Sequence, residues 1–230
     1  MKKIINFSYD NRIISKPWGE EYVIFKNKKK IAITYLKIKK GLSTSLHCHP
    51  KKKTGFLILK GTAKVQIGIY KKNIVSYPPM SILVLRPGLF HQIKASNYTD
   101  LFALELESPY FKSDLIRMKD DYGRSNKGYE NLKNSRRILK KDTLFEIPKF
   151  NKKNRYTLNN TQIEISHYKN LDQFKSYDDK SVSIVLDGKI LSKKNKTVIT
   201  VGEIVKSYTL KQLTEHFKIN GSLLLLKASK

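Results

Sequence analysis

The 230-residue chain reads as an all-β protein organised around a closed barrel or sandwich. Three observations predict this. Between Glu21 and Glu107, short runs rich in Val, Ile, Leu, Tyr and Phe follow one another, punctuated by Gly, Pro and Asn. Nothing between them keeps a helical apolar period over a useful length. Similar runs resume at Thr161 in a related layout. Evenly spaced short strands with turn signals argue for a sandwich or barrel rather than an alternating parallel sheet.

In chain order, the strongest strand candidates are EYVIF (21–25), IAITYLKI (31–38), GFLILKG (55–61), AKVQIGIY (63–70), SILVL (81–85), HQIKA (91–95) and LFALELE (101–107). From Ser108 to about Lys153 the chain is polar, with apolar residues too sparse for a core. It reads as a connector with one short helix around Lys112 to Lys119. Strand signals then return in TQIEISHY (161–168), SVSIVLDGKI (181–190), TVITV (197–201), EIVKSYTL (203–210) and SLLLLKA (222–228). SVSIVLDGKI resembles GFLILKGTAK, each an apolar strand, a tight turn with Gly and a second strand. His216 falls near the place His91 holds in the first half. The expected division is a first barrel over 15–110, a polar connector over 111–153, and a degenerate second barrel over 154–230.

Composition narrows the function. Forty per cent hydrophobic and 28% charged residues are ordinary for a globular protein. No apolar run reaches the roughly 20 residues that cross a bilayer. MKKIINFSYDNRII lacks the continuous apolar stretch of a signal peptide, so a cytoplasmic protein without membrane partners is expected. One cysteine forms no internal disulfide and fits a reducing compartment. The formal charge of +27 invites a nucleic-acid reading. The basic residues are mostly lysine, scattered along the whole chain, whereas base and phosphate recognition favour clustered arginine. The field is better suited to drawing in an anionic small molecule.

The chemistry gathers in GLSTSLHCHP (41–50). Residues two apart on a strand face the same side, so His47 and His49 point together and Cys48 points away. That spacing lets two imidazoles bind one cation from a rigid strand. A third ligand is available in RPGLFHQI (86–93), where Pro87 and Gly88 make a turn and His91 opens the next strand. Three of the five histidines lie in these two segments. Gly41 ahead of the pair and Gly61 at the following turn complete the pattern.

These segments, GLSTSLHCHPKKKTGFLILKG and SILVLRPGLFHQIKA, resemble the two signature motifs of the cupin superfamily, G-x5-H-x-H-x3,4-E-x6-G and G-x5-P-x-G-x2-H-x3-N. With KPWGEEYVIF (16–25), the likeness is closest to cupins similar to the C-terminal domain of type II mannose-6-phosphate isomerases, over about 15–107. The tract 114–130 is similar to cupins of bacterial surface-polysaccharide clusters. The resemblance implies a jelly-roll (double-stranded β-helix) barrel, here duplicated as a bicupin. It implies a divalent ion (Zn, Mn, Fe or Ni) on His47, His49 and His91, and a homodimer. The chain departs from the pattern at four places: Thr54 stands where the family has its Glu ligand, Met80 for the Gly, Arg86 for the Pro and Ala95 for the Asn. Glu105 and Glu107, on one face of their strand, are substitute carboxylates if that face is the barrel interior.

Other residues have two readings each. Trp18 is a core anchor or a platform for a sugar ring. Arg86 is an anion clamp at the rim or a surface ion pair. The Lys51-Lys52-Lys53 loop is solvated or attracts an anion. Ile13 and Ile14 lie on a strand of their own barrel or swap onto a partner. Cys48 reads as a small buried hydrophobe, and His167 and His216 as residues outside any site. The resemblance supports three functions. The first is a metal-assisted isomerase or epimerase of sugar phosphates or nucleotide sugars, with Glu105 moving the proton. The second is a non-catalytic carbohydrate-binding or regulatory cupin, favoured by Thr54. The third is an Fe(II) dioxygenase.

Overall fold

The computed structural model describes residues 9–28, 30–110, 112–124 and 134–230. Residues 125–130 of the polysaccharide-like tract and the first eight residues lie outside that set. The first half contains β1 (Arg12–Lys16), β2 (Gly19–Asn27), β3 (Ile31–Ile38), β4 (Leu46–Cys48), β5 (Lys53–Lys60) and β6 (Ala63–Ile67). It continues with β7 (Ile74–Tyr77), β8 (Ile82–Leu85), β9 (His91–Ala95) and β10 (Leu101–Ser108). Next come β11 (Ile116–Lys119) and β12 (Ser135–Arg137). These make a seven-stranded sheet, β12-β1-β2-β3-β10-β5-β8, and a five-stranded sheet, β11-β4-β9-β6-β7.

The second half contains β13 (Lys153–Leu158), β14 (Thr161–Tyr168), β15 (Val182–Asp187), β16 (Lys189–Ser192), β17 (Thr197–Thr200) and β18 (Ile204–Lys206). Helix α1 (Ser207–Gln212), β19 (Phe217–Ile219) and β20 (Leu223–Ser229) follow. The sheets are β13-β14-β20-β15-β18 and β17-β16-β19. They repeat the orders β2-β3-β10-β5-β8 and β7-β6-β9 strand for strand. The turns match as well. Gly61 and Gly188 both have positive φ, and a Cβ on either would strike the carbonyl just before β10 or β20, Asp100 O at 2.4 Å and Ser222 O at 2.2 Å. Only glycine fits such a turn. The fold is a duplicated double-stranded β-helix.

Alternation sorts the side chains. Phe56, Ile58, Leu101 and Ala103 fill the interior of the first barrel with Trp18, Leu36 and Ile93. On the other face of the same strands, Leu57, Leu59, Leu104 and Leu106 join Ile24 and Ile33 against Ile163, Ile165, Ile184 and Leu226 of the second half. This core between the halves is framed by polar contacts: Lys53–Glu203 at 2.5 Å, Lys30–Asp187 at 2.6 Å and Asn159 Nδ2 to Tyr35 Oη at 2.7 Å. At Gly55 the absence of a side chain makes room for Ile204, whose Cδ1 would lie 2.6 Å from a Cβ there.

The expected helix around Lys112 to Lys119 is instead strand β11, paired with β4. The open backbone edge of β4 supplies the partners that a short polar helix would lack. The supposed connector is also built into the protein: β12 pairs with β1, Phe145 joins the core between the halves, and Asp114 and Arg117 are buried. The burial of Asp114 rests on hydrogen bonds from the backbone N–H groups of Lys51 and Lys52, which a count of apolar residues does not register. Ile13 and Ile14 are buried on β1, which pairs with β2 of its own barrel.

Candidate metal centre

Antiparallel pairing of β4 with β9 sets His47 directly opposite His91, and alternation adds His49 on the same face. The ring centroids are 4.5 Å apart for His47–His91, 5.0 Å for His47–His49 and 5.6 Å for His49–His91. Each ring is fixed by its Nδ1, which donates to a backbone carbonyl: Ser45 at 2.8 Å, Asp114 at 2.6 Å and Leu89 at 3.0 Å. That bonding places the lone pair on Nε2 in all three. The Nε2 atoms of His49 and His91 are buried and have no hydrogen-bond partner among the described residues. The ligand atoms of the three rings lie within 4.8 Å of one another. A buried polar atom without a partner costs free energy, and backbone-anchored imidazoles sharing one point are the arrangement that holds a metal. The residues present fit a divalent ion.

The electrostatics suit this. Burial pushes all three histidines below their ordinary range, His47 far below, His49 to about 3 and His91 to about 4. They are neutral at physiological pH, the form that ligates. Cys48 faces the other way, buried, with its thiol pushed up by burial; it is a small core residue.

The inner face of β10 settles the position of the carboxylates. Leu101 and Ala103 line the first barrel's interior, so Glu105 and Glu107 project inward too. Glu107 pairs in register with Thr54, and Glu105 with Phe56. Thr54 is buried, its hydroxyl oxygen without a hydrogen-bond partner among the described residues, so the position where the cupin motif has its Glu holds a neutral group. Glu107 is committed to Lys52 and, at 2.9 Å, to Lys112. Burial would raise its pKa, but the two ammonium groups hold it low. Glu105 lies 4.0 Å from His49 Nε2, too far to hydrogen-bond. That is near the separation of two ligands across one ion, each about 2 Å from it. Burial, with the charge of Glu107, pushes Glu105 up to about 8.

The rings, Glu105 and Trp18 line a cavity of about 50 Å³, walled further by Leu36, Phe56 and Arg117. Trp18 is a buried wall of this cavity. Arg86 is exposed and outside it, because the turn after β8 carries its side chain into solvent. The cationic residues that do reach the cavity are Lys16, Lys112, Arg117 and Arg124. Lys52, on a loop expected to be solvated or to attract an anion, is fully buried on Glu107. Counting back by twos from Phe56 and Thr54 places Lys52 on the inner face, a signal the sequence carried. Arg117 and Arg124 had no such signal, since nothing in their polar tract marks a strand. His167 stacks on Phe150 at 5.2 Å and His216 is exposed, both away from the centre.

The first half is thus a double-stranded β-helix barrel with three imidazoles converging inside it, and the second half repeats its sheet orders without such a cluster among the described residues. No family model matches the sequence. The chain is 25% identical over 121 residues to the xanthan biosynthesis protein XanB of Xanthomonas campestris pv. campestris, in each of two strains. The match takes in 50% of this chain but only 24% of XanB, so the chain spans about a quarter of the curated relatives it matches. Among solved structures, the capsular polysaccharide assembling protein CapF of Staphylococcus aureus is 18% identical with a TM-score of 0.42, covering 50% of this chain and 33% of that one. KdgF of Halomonas sp. is 16% identical with a TM-score of 0.38 (42% and 84%). A cupin-2 domain of Rhodospirillum rubrum is 20% identical with a TM-score of 0.36 (40% and 60%).

Proposed function

We propose that the protein acts on a sugar phosphate or nucleotide sugar in bacterial surface-carbohydrate biosynthesis, as an isomerase or epimerase with a divalent ion on His47, His49 and His91. The observation that carries this reading is the set of three backbone-anchored imidazoles with their Nε2 lone pairs turned to one point. The partial likeness to a protein named for xanthan biosynthesis supports the carbohydrate context. A bound ion supplies Lewis acidity toward a carbonyl or hydroxyl oxygen. The chain's own part is binding and proton handling. Trp18, Leu36 and Phe56 exclude water, and the cationic wall holds the ligand's negative charge. Glu105, with its pKa near 8, holds a proton close to neutral pH and exchanges it with a carbon or oxygen set against it. A reducing, cytoplasmic setting belongs to the same reading, supported by the single unpaired Cys48. So does a homodimer, supported by β7, the last strand of its sheet, with Ile74 and Val75 exposed.

A second reading, a binding cupin without chemistry, is favoured by Thr54, a buried neutral group at the position where the cupin motif has its Glu ligand. The test is metal content of wild type and His47→Ala, followed by thermal shift with sugar phosphates and nucleotide sugars. One equivalent of metal in wild type, lost in His47→Ala, and a ligand-dependent shift are expected. No metal and no shift with any anionic sugar overturns the proposal. Metal and binding without turnover selects the second reading.

A further inference from the structure

The ends of the sheets are not alike. An edge strand leaves one row of N–H and C=O groups open to any chain that can add to it, and proteins blunt such edges with charges, bulges or cover. β12 carries Arg136 and Arg137, β13 Lys153 and Arg155, and β19 Lys218. β11 and β17 shift register against their neighbours, and β18 ends in Lys206. β8 lies beside β18 of the second half. Among the described residues β7 has none of these devices. Its Ile74-Val75-Ser76-Tyr77 is uncharged, pairs with β6 in unbroken register, and leaves Ile74 54% and Val75 46% exposed. The turn before it adds exposed Ile69 and Tyr70.

The ladder shows which groups are open. Ile67 donates its N–H to the Asn73 carbonyl at 2.9 Å, so the pairs two and four residues along, Val65–Val75 and Ala63–Tyr77, are the hydrogen-bonded ones. Ile74 and Ser76 therefore turn their N–H and C=O groups away from β6. Two open residues with this spacing are self-complementary. In an antiparallel pair about a two-fold axis at Val75, Ile74 of each copy faces Ser76 of the other, and both pairs exchange N–H···O bonds.

Charge selects the occupant and the direction. The chain's +27 opposes self-association, and Lys71 and Lys72 stand in the turn before β7. A parallel pair would set the two lysine turns side by side. The antiparallel pair sets each lysine turn against uncharged Pro78 and Pro79 of the other copy. Lys72 and its twin are then six residues apart along the strands, roughly 20 Å, beyond a screening length of about 8–10 Å. On the outer face Lys64 falls in line with Ser76, then Ile74 and Gln66 of the other copy, and meets no lysine. An acidic peptide, by contrast, would find no charge to pair with from Asn73 to Ser81. We propose that β7 is the contact between two copies of this chain, paired antiparallel about Val75, so that two five-stranded sheets become one of ten. This rests on the homodimer of the reading above and goes beyond it by naming the strand, its direction and its register. The joined sheet runs unbroken from one histidine centre to the other through β9 and β6 of each copy.

The experiment is sedimentation velocity of the full chain over a range of concentrations, with circular dichroism of each variant as the control for folding. Wild type, Ser76→Pro, Ile74→Lys and Val75→Cys are compared. Ser76→Pro removes an outward N–H and no bond to β6, the setting in which an edge strand tolerates proline. Expected are a dimer in wild type and a dissociation constant at least tenfold weaker in Ser76→Pro and in Ile74→Lys. Facing residues of a pair without mutual hydrogen bonds have Cα atoms about 4.5 Å apart, within reach of a disulfide. Val75→Cys should therefore form a covalent dimer with diamide, whereas wild type, whose Cys48 is buried, should not. A dimer undiminished in Ser76→Pro and Ile74→Lys overturns the proposal and leaves a homodimer through another surface standing. A wild type that stays monomeric throughout overturns both. Should either substitution unfold the chain, the cross-link decides, and its absence in a dimeric Val75→Cys overturns the pairing.

Discussion

His91 gives the metal-free protein an acid limit whose size follows from the structure. The ring is 1% exposed, and burial holds its pKa at about 4, against 6.5 for an ordinary histidine; the Leu89 carbonyl works the other way and Lys52 adds to the depression. Above pH 6.5 the ring is neutral both folded and unfolded, and this gap has no effect on stability. As pH falls below 6.5, the unfolded chain takes up a proton that the folded ring refuses, so stability declines until about pH 4. A gap of about 2.5 units at 1.36 kcal/mol each amounts to about 3 kcal/mol lost between pH 7 and pH 4. The measurement is urea unfolding in chelator at both pH values, comparing wild type with His91→Asn, which has no titrating group there. Acid-labile groups outside the cluster are common to both proteins and cancel in the comparison, while His47 and His49 lose with His91 a part of what holds them low. Wild type is expected to lose about 3 kcal/mol more than the variant. Equal losses would refute the burial argument and the neutral state assigned to the ring.

Two further predictions probe the scaffold. Glu107→Gln leaves Lys52 and Lys112 facing a neutral amide in a buried site. Breaking such a pair costs about 3–5 kcal/mol, a fall in melting temperature of about 6–20 °C for a chain of this size, read by circular dichroism. Removing the opposite charge as well, in Lys52→Met with Glu107→Gln, should recover part of the loss; a double variant no better than the single one refutes the pairing. Gly55→Ala sets a Cβ 2.6 Å from Ile204 and should cost about 1–3 kcal/mol by overpacking. Trimming Ile204→Val in that background should return some of it, and strictly additive effects would show that the halves do not touch there.

The strands that carry the fold were legible because their signals are local: β-branched and aromatic runs between turn residues, and glycines at Gly61 and Gly188 where the turn demands positive φ. The histidines were legible for the same reason, since spacing of two on a strand fixes a shared face. The inner wall of the site was harder to read. Whether Glu105 faces inward depends on which side of β10 is closed over, a fact set by the pairing of β10 with β3 and β5. Arg117 reaches the site only through its pairing with β4, and β11 has no strand signature of its own. Lys52 and Asp114 were masked by a polar composition that normally means solvent. Here Asp114 accepts the backbone N–H groups of Lys51 and Lys52 at 2.9 and 3.0 Å, and that satisfaction permits its burial.

The second half shows what the site displaces. Its sheets repeat the first barrel's order but have no counterpart of β4, the strand that carries His47 and His49. In the corresponding stretch the chain makes a 3-10 turn over Asp172–Phe174. Phe174 and Tyr177 there pack into the interior against Tyr168, Val185 and Leu225, and the two tyrosine hydroxyls bond to each other. One barrel is thus filled with aromatic rings where the other holds unpaired imidazole nitrogens and a neutral threonine around a cavity. Unsatisfied buried groups weaken a core, by about 1–3 kcal/mol each. The first barrel carries that burden and also shares an apolar face with the second, through Leu104, Leu106, Ile184 and Leu226. The second half, with no counterpart of the histidine strand, therefore has a structural part of its own. It is a filled support, against whose sheet the other barrel can keep a polar cavity open.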